Sequence, residues 1–135
     1  MTDIEFARLK AIVEKELIIN EDNLSDKSLK IPNLHQKYLD IYTKEMRILK
    51  DLSLKKTKKY SDLYHKNKFE GEYKLDYAKE IETYVNGDPD YYKNCQEFNY
   101  QDIIVKFLES TLENIQKMNF TIKNYIEWRK FLAGG

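Results

Sequence analysis

The sequence predicts a mainly α-helical protein built around a long central helix, with a helix before it and oligomerising helices at the C-terminus. Its 135 residues include only four glycines and two prolines, so few positions interrupt a helix. Apolar side chains recur at helical spacing along most of the chain. Hydrophobic residues make up 41% of the chain and charged residues 34%. That balance suits a soluble helical protein that buries part of its apolar surface against another chain.

The first predicted helix begins at Thr2 or Asp3, either of which can cap it, and a polar connection, NEDNLSDKS, follows it. Pro32 suits the first turn of the second helix, because that position has no use for an N–H group. From there to about Lys66 nothing interrupts the pattern, which gives roughly 35 residues and a helix of about 50 Å. Its first half follows a seven-residue apolar spacing in which Glu45 takes one apolar slot, so we expect that half to pack against a neighbour.

The middle of the chain is predicted to be less regular. Gly71 and the turn Asn86–Pro89 flank a segment around Leu75 to Val85, which we predict to be a short helix. The region from Asp88 to Asn99 is predicted to be an acidic loop.

The C-terminal region is predicted to hold a helix from about Asn99 to Lys117, a break at Met118-Asn119 and a second helix that ends at Gly134. The apolar residues of the first of these helices cover a wider arc than a lone amphipathic helix presents to one core. We therefore expect part of that surface to meet another subunit. The arc contains Ile103, Ile104, Phe107, Leu108, Leu112 and Ile115.

The charge distribution gives the strongest functional indication. The segment Lys44–Lys68, here called the basic block, holds nine Lys or Arg and three acids, in a chain of zero net charge. The next segment, Phe69–Glu97, holds eight acids and three lysines. Lysines interleaved with tyrosines are the mixture that follows a phosphate backbone and stacks on bases. Because the sequence pI is near 6.7, nucleic-acid binding must be local to the basic block.

Within the basic block, Lys56, Tyr60 and Tyr64 fall at i, i+4 and i+8 on one stripe, and three lysines fall on the adjacent stripe. No base-reading motif is evident, so the expected binding is neutral to sequence. The alternative is a solvated helix face whose lysines serve only solubility. The candidate nucleic-acid-binding residues are Arg47, Lys55, Lys56, Lys58, Lys59, Tyr60, Tyr64, Lys66 and Lys68.

Other residues give little indication of catalysis or membrane insertion. His35 and His65 would lie about 45 Å apart on one helix, too far to share a metal ion or a proton. Cys95, the single cysteine, has no basic neighbour except Lys93 and fits a reducing compartment. No metal, cofactor or nucleophile motif is present. No apolar run approaches the roughly 20 residues that cross a bilayer. We expect a cytoplasmic protein that is no enzyme and binds no cofactor, metal or membrane.

Four parts follow one another along the chain: a helix bearing KEM, the cluster KKTKKYSDLYHK, an acidic middle, and EFNYQDIIVKFLESTLENIQKMNFTIKNYIEWRKFLAG. In this order they resemble the UvsY family of recombination mediators from large tailed phages. The resemblance implies a helical protein that assembles into a closed homo-oligomer and binds single-stranded DNA without sequence preference. It also implies a protein that helps to load a RecA-like recombinase on DNA covered by a single-strand-binding protein, in the cytoplasm of the host cell.

The resemblance places the family's basic DNA-binding motif on Lys58 and its second basic position on Tyr60. Since a tyrosine stands there, we expect Lys59 to supply the charge and Tyr60 to stack. The family's glycine-containing turn is replaced by His65-Lys66-Asn67-Lys68. Oligomerisation is attached to the C-terminal helices, with Ile104, Phe107, Leu108, Leu112, Ile115, Phe120, Ile122 and Ile126 as interface candidates.

We expect a single domain, 1–135, with a DNA-binding part at 1–68, an acidic connector at 69–98 and oligomerisation helices at 99–135. The acids of the connector lack the spacing of a cation-binding loop, so they form either a solvated face or an interaction surface. An interaction surface would contact another protein or mimic DNA charge against a basic partner. Two alternatives remain open. One is a helical adaptor whose basic block binds an acidic protein, and the other is a small enzyme that combines His65 with acids of the next subunit.

Overall fold

A computed structural model describes residues 1–71 and 77–134, which form helices joined by short connections. The elements are α1 (Asp3–Glu16), α2 (Leu24–His65), a π-helical segment (Lys66–Glu70), α3 (Ala78–Asn86) and α4 (Pro89–Leu132). The described residues contain no strand. The predicted mainly α class and the long helix are therefore confirmed.

Helix α1 begins as the sequence predicts. The Glu5 N–H donates to Thr2 Oγ1 at 3.2 Å, and the Thr2 N–H donates to Glu5 Oε2 at 2.9 Å. This reciprocal capping box satisfies two backbone donors that have no partner inside the helix. Phe6 is buried and packs edge-on against Phe107 of α4, with ring centroids 5.5 Å apart.

Helix α2 begins at Leu24, so the prediction that Pro32 lies in its first turn is wrong. The polar connection is closed by two reciprocal bonds, in which the Asn20 N–H donates to Asn23 Oδ1 at 2.9 Å and the Asn23 N–H donates to Asn20 Oδ1 at 3.0 Å. Because these amides order the chain ahead of Leu24, the helix starts there. Pro32 has no N–H for the Ser28 carbonyl, but Ser28 is exposed and its carbonyl can be hydrated.

Helix α3 confirms the short helix predicted around Leu75 to Val85, although Leu75 itself lies outside the described residues. The acidic loop predicted from Asp88 to Asn99 is wrong, since α4 already begins at Pro89. Asp88 Oδ1 accepts hydrogen bonds from the N–H groups of Asp90 at 2.9 Å and Tyr91 at 3.0 Å. Asp88 thus caps α4, and proline occupies its first position, where the lost donor costs nothing.

Helix α4 continues to Leu132, so the predicted break at Met118-Asn119 is also wrong. Met118 is buried, and no glycine or second proline follows Pro89 before Leu132. A buried side chain and an uninterrupted backbone pattern both favour continuation of the helix through this point.

The chain divides into two compact units. The first unit comprises Met1–Thr43 and Lys106–Gly135, and the second comprises Lys44–Val105. In the first unit Tyr38 is fully buried, and its hydroxyl donates to Glu16 Oε2 at 3.2 Å. Burial, and then the Glu16 charge, raise the pKa of Tyr38 well above its usual value, so the buried phenol stays neutral. The buried apolar residues of the first unit are Phe6, Val13, Ile31, Tyr38, Leu108, Ile115, Met118 and Ile122.

The second unit buries a polar pair as well as an apolar cluster. Leu63, Ile81 and Val85 form the cluster, against which tyrosines pack. Glu45 and Gln101 are each only 4% exposed. The Gln101 amide donates to the Glu45 carbonyl oxygen at 2.9 Å and to its carboxylate Oε2 at 2.6 Å. Glu45, which takes an apolar slot in the seven-residue pattern, thus faces inward, and the Gln101 amide of α4 satisfies its carboxylate.

We expect Gln101→Leu to lower the free energy of unfolding by about 1–3 kcal/mol, because the Glu45 carboxylate would stay buried without its donor. Urea denaturation followed by circular dichroism measures this loss. The control Gln96→Leu, an exposed position of α4, should stay within about 0.5 kcal/mol of the parent. The double variant Glu45→Leu/Gln101→Leu should recover much of the stability, since neither polar group is then left unpaired. Parental stability of Gln101→Leu alone would contradict the role of this pair.

Candidate nucleic-acid interface

The part of α2 that carries the basic block has one face packed within the second unit and one face exposed. Glu45, Leu49 and Leu63 are buried. They lie on the same side of the helix, since a helix returns to one side after four, seven or eighteen residues. Arg47 and Lys58, on the opposite side, are exposed. Burial therefore sorts the cations of the basic block into two groups.

The exposed group forms a cationic face on α2 and on the π-helical segment after it. Among the described residues, Arg47 and Lys58 take part in no ion pair. Their charges are therefore available to a partner. The exposed candidates are Arg47, Lys55, Lys58, Lys66 and Lys68.

The packed group consists of Lys56 and Lys59, which are half-buried. The Lys56 ammonium lies 4.5 Å from the centroid of the Phe98 ring, a cation–π contact that helps to hold α4 beside α2. The Lys59 ammonium lies 3.9 Å from Asp90 Oδ2. These two cations of the basic block are therefore already partnered by α4.

The two tyrosines of the basic block are half-buried and pack against the cluster of Leu63, Ile81 and Val85. The Tyr60 ring lies 6.3 Å from the Tyr64 ring at an angle of 29° and 5.5 Å from the Tyr91 ring at 63°. Burial, followed by the charge of Glu82, raises the pKa of Tyr60.

The structure thus brings Lys56, Tyr60 and Tyr64 to one side of the helix, as their spacing predicts, but that side is the packed one. Stacking of these rings on bases stays a prediction.

Sequence reasoning missed Lys50 and the aromatic partners Tyr91 and Phe98. Lys50 is exposed and lies three residues from Arg47, a spacing that places both on one side of a helix. The contacts of Tyr91 and Phe98 could not be anticipated while their segment was predicted to be a loop. The capping pair Asp88-Pro89 is the signal that would have revealed the helix.

The interface candidates of the C-terminal region differ in burial. Ile104 is buried in the second unit, and Leu108, Ile115 and Ile122 are buried in the first. Phe107 and Leu112 are half-buried, and Phe120 and Ile126 are exposed. Half of the candidates are therefore covered by their own chain.

The far end of α4 carries an exposed aromatic surface, here called the aromatic patch, formed by Phe120, Trp128 and Phe131. The spacing of these residues places them on one side of the helix. The rings of Trp128 and Phe131 are stacked, with centroids 5.7 Å apart. Phe131 is 72% exposed. Such a cluster marks a surface that another molecule can cover.

No group of three or more His, Cys, Asp and Glu residues within 1–71 and 77–134 is placed to hold a metal ion. In the same part of the chain, no helix is both long and apolar enough to pass through a bilayer.

A family model described as "Recombination, repair and ssDNA binding protein UvsY" matches residues 12–135. The chain belongs to the UvsY family. It is therefore a recombination, repair and single-stranded-DNA-binding protein, and the family resemblance noted from its motifs is confirmed. No curated protein sequence matches it significantly.

Crystal structures of the bacteriophage T4 recombination mediator protein UvsY have a similar fold to this UvsY-family chain. The lattice type IV structure has a TM-score of 0.80 at 20% identity and covers 93% of this chain and 96% of that one. The type II structure has a TM-score of 0.80 at 20% identity and covers 98% of both. The type I structure has a TM-score of 0.76 at 20% identity, with coverages of 92% and 98%. At this identity the likeness establishes the fold alone.

We expect Lys58→Ala to weaken binding to single-stranded DNA and to reduce the slope of log affinity against log salt by about 0.7 for the lost phosphate contact. Fluorescence anisotropy of labelled oligo(dT), titrated at several salt concentrations, measures both quantities. Lys30→Ala is a matched control, because Lys30 lies on α2 outside the basic block and pairs with Asp26. If Lys58→Ala and Arg47→Ala both bind as the parent does at every salt concentration, the exposed face is only a solvated surface.

Proposed function

We propose that this UvsY-family protein is a non-enzymatic recombination mediator. It binds single-stranded DNA without sequence preference and promotes loading of a RecA-like recombinase on DNA coated by single-strand-binding protein, in the cytoplasm of a phage-infected host. The observation that carries the proposal is the exposed cationic face of α2, with Arg47 and Lys58, on a chain that the family model matches from residue 12 to 135.

Sequence-neutral binding follows from the chemistry of that face. Its cations neutralise phosphates, which every nucleotide carries, and the sequence of α2 contains no base-reading motif. The gain in free energy comes largely from counterions released by the DNA. A few contacts of this kind give dissociation constants of only about 10⁻⁴–10⁻⁶ M at physiological salt.

A mediator therefore needs several such faces on one strand, and we propose that a closed homo-oligomer supplies them. Repetition converts later contacts into intramolecular ones with a high effective concentration. The exposed aromatic patch is the surface that we assign to contact between subunits, since exposed aromatic rings bury large apolar areas on association. Ile104, Leu108, Ile115 and Ile122 support the ring indirectly, by holding α4 within its own chain.

The role in loading is tested with a RecA-like recombinase whose ATPase depends on single-stranded DNA. On DNA coated by single-strand-binding protein, the parent should shorten the lag before ATP hydrolysis. With the double variant Arg47→Ala/Lys58→Ala, the lag should be as long as it is without any mediator, because this variant cannot compete for the coated strand. Mixed-sequence DNA and oligo(dT) should give the same result. An unaltered lag with the parent protein, at concentrations that saturate the DNA, would reject the mediator role.

Assembly is tested by placing a charge in the aromatic patch. Phe131→Glu should dissociate the oligomer into monomers that keep their helical circular dichroism, because the side chain is exposed in one chain and a buried carboxylate between chains is costly. Sedimentation velocity measures the mass. Phe69→Glu is the matched control, an exposed aromatic of the π-helical segment, and should keep the parental mass.

A full-size oligomer of Phe131→Glu would remove the aromatic patch from the interface. Ile115→Glu should behave differently, since Ile115 is fully buried within one chain and its replacement should unfold the first unit.

A further inference from the structure

Within the second unit, two acids of α4 lie beside two lysines of the basic block on α2. Asp90 Oδ2 lies 3.9 Å from the Lys59 ammonium, and Glu97 Oε2 lies 3.9 Å from the Lys55 ammonium. The two acids are seven residues apart, which is two turns of α4 on one side, and the two lysines are one turn apart on α2. The acids therefore lie along the packed edge of the cationic face.

We propose that Asp90 and Glu97 take the place of DNA phosphates within the chain. By pairing with Lys59 and Lys55, the two acids attenuate the affinity for single-stranded DNA. This inference rests on the proposed binding of DNA by the basic block. At 3.9 Å the carboxylates pair with the ammonium groups through charge rather than through hydrogen bonds, and a phosphate, which is also an oxyanion, competes for the same positive charge.

The exposure of the pairs decides that they attenuate binding rather than block it. The Asp90 side chain is 79% exposed and that of Lys59 is 35% exposed, while the Lys55 and Glu97 side chains are 62% and 39% exposed. Exposed pairs are weak and screened by salt, so a strand that offers several phosphates displaces the carboxylates. The displaced acid still stands beside the lysine and repels the incoming phosphate.

The acids stay near the lysines even when their side chains rotate, because the part of α4 that carries them is held in place. Asp88 caps the helix through its bonds to the next turn. The Tyr91 ring contacts the Tyr60 ring, and the Phe98 ring lies under the Lys56 ammonium. The negative charge is thus fixed beside the lysines by packing between α2 and α4, whether or not the ion pairs themselves are closed.

The test uses the full chain and the isosteric variants Asp90→Asn and Glu97→Gln, titrated with labelled oligo(dT). Each should bind about two- to fivefold more tightly at low salt, as expected for removal of an exposed charge next to a cation, and the gain should shrink as salt rises. The double variant should also show a steeper salt slope, by up to about 0.7 for each freed lysine.

Two controls separate pairing from general charge. Asp88→Asn removes the same charge two residues from Asp90 but keeps an oxygen that can cap α4, and within the described residues Asp88 pairs with no cation. It should leave the affinity unchanged. In a Lys59→Gln background, Asp90→Asn should likewise give no gain, because the lysine through which it acts is gone.

The inference is overturned if the double variant binds as the parent does or more weakly, if Asp88→Asn gives an equal gain, or if the gain persists in the Lys59→Gln background. In each of these cases a loss of affinity in Lys58→Ala would still support DNA binding by the exposed face. If Lys58→Ala and Arg47→Ala are both without effect as well, the proposed function fails together with the inference.

Discussion

The hydrogen bonds from Gln101 to Glu45 constrain how α2 is turned against α4 in the second unit, and the exposure of the basic block depends on that rotation. A buried carboxylate is tolerated only where its donors reach it, so a rotation of α2 about its axis would leave both groups unpaired. With Glu45 and Leu63 turned inward, Arg47 and Lys58 must point to solvent, since they lie on the opposite side of the same helix. A polar contact in the core thus helps to determine which cations of the basic block are exposed to solvent.

The cations of the basic block are consequently not equivalent. Lys56 lies over an aromatic ring, and Lys59 lies beside a carboxylate, so both are partly used within the chain. The excess of positive charge counted from the sequence therefore overstates the unpaired positive charge that the basic block exposes. The tyrosines of the basic block are likewise partly used within the chain, because the rings of Tyr60 and Tyr64 contribute to the packing of α2 on α3 and α4. Lysines thus contribute to packing on one side of the helix and remain exposed on the other.

The sequence predicts the helices well where backbone chemistry decides them. The sequence predicts a long helix that ends near Lys66, and the helix ends at His65. Its length follows from the scarcity of glycine and proline, which leaves few interruptions. The acids after Asp88 obscured a helix start that the Asp88-Pro89 pair encodes. The periodicity of apolar residues does not show which residues, or which chain, cover each face of a helix. Periodicity aligns Lys56 with Tyr60, but only their contacts with Phe98 and Tyr91, roughly thirty to forty positions later, show that this side is packed. Likewise, the apolar arc that holds Ile115 looks the same whether its own chain or another chain covers it.

Attenuation of DNA affinity by surface acids has a larger effect when several subunits bind the same strand. An exposed ion pair contributes at most about 1 kcal/mol to stability, and a single weakened lysine changes the affinity of one subunit only slightly. When several subunits engage one strand, however, the factor for each subunit is multiplied by those of its neighbours, because the later contacts are intramolecular. The cations of the basic block lie in the second unit and the aromatic patch lies in the first. In the proposed ring, a change of charge at Asp90 or Glu97 would therefore alter the affinity for single-stranded DNA more strongly than it would in a monomer.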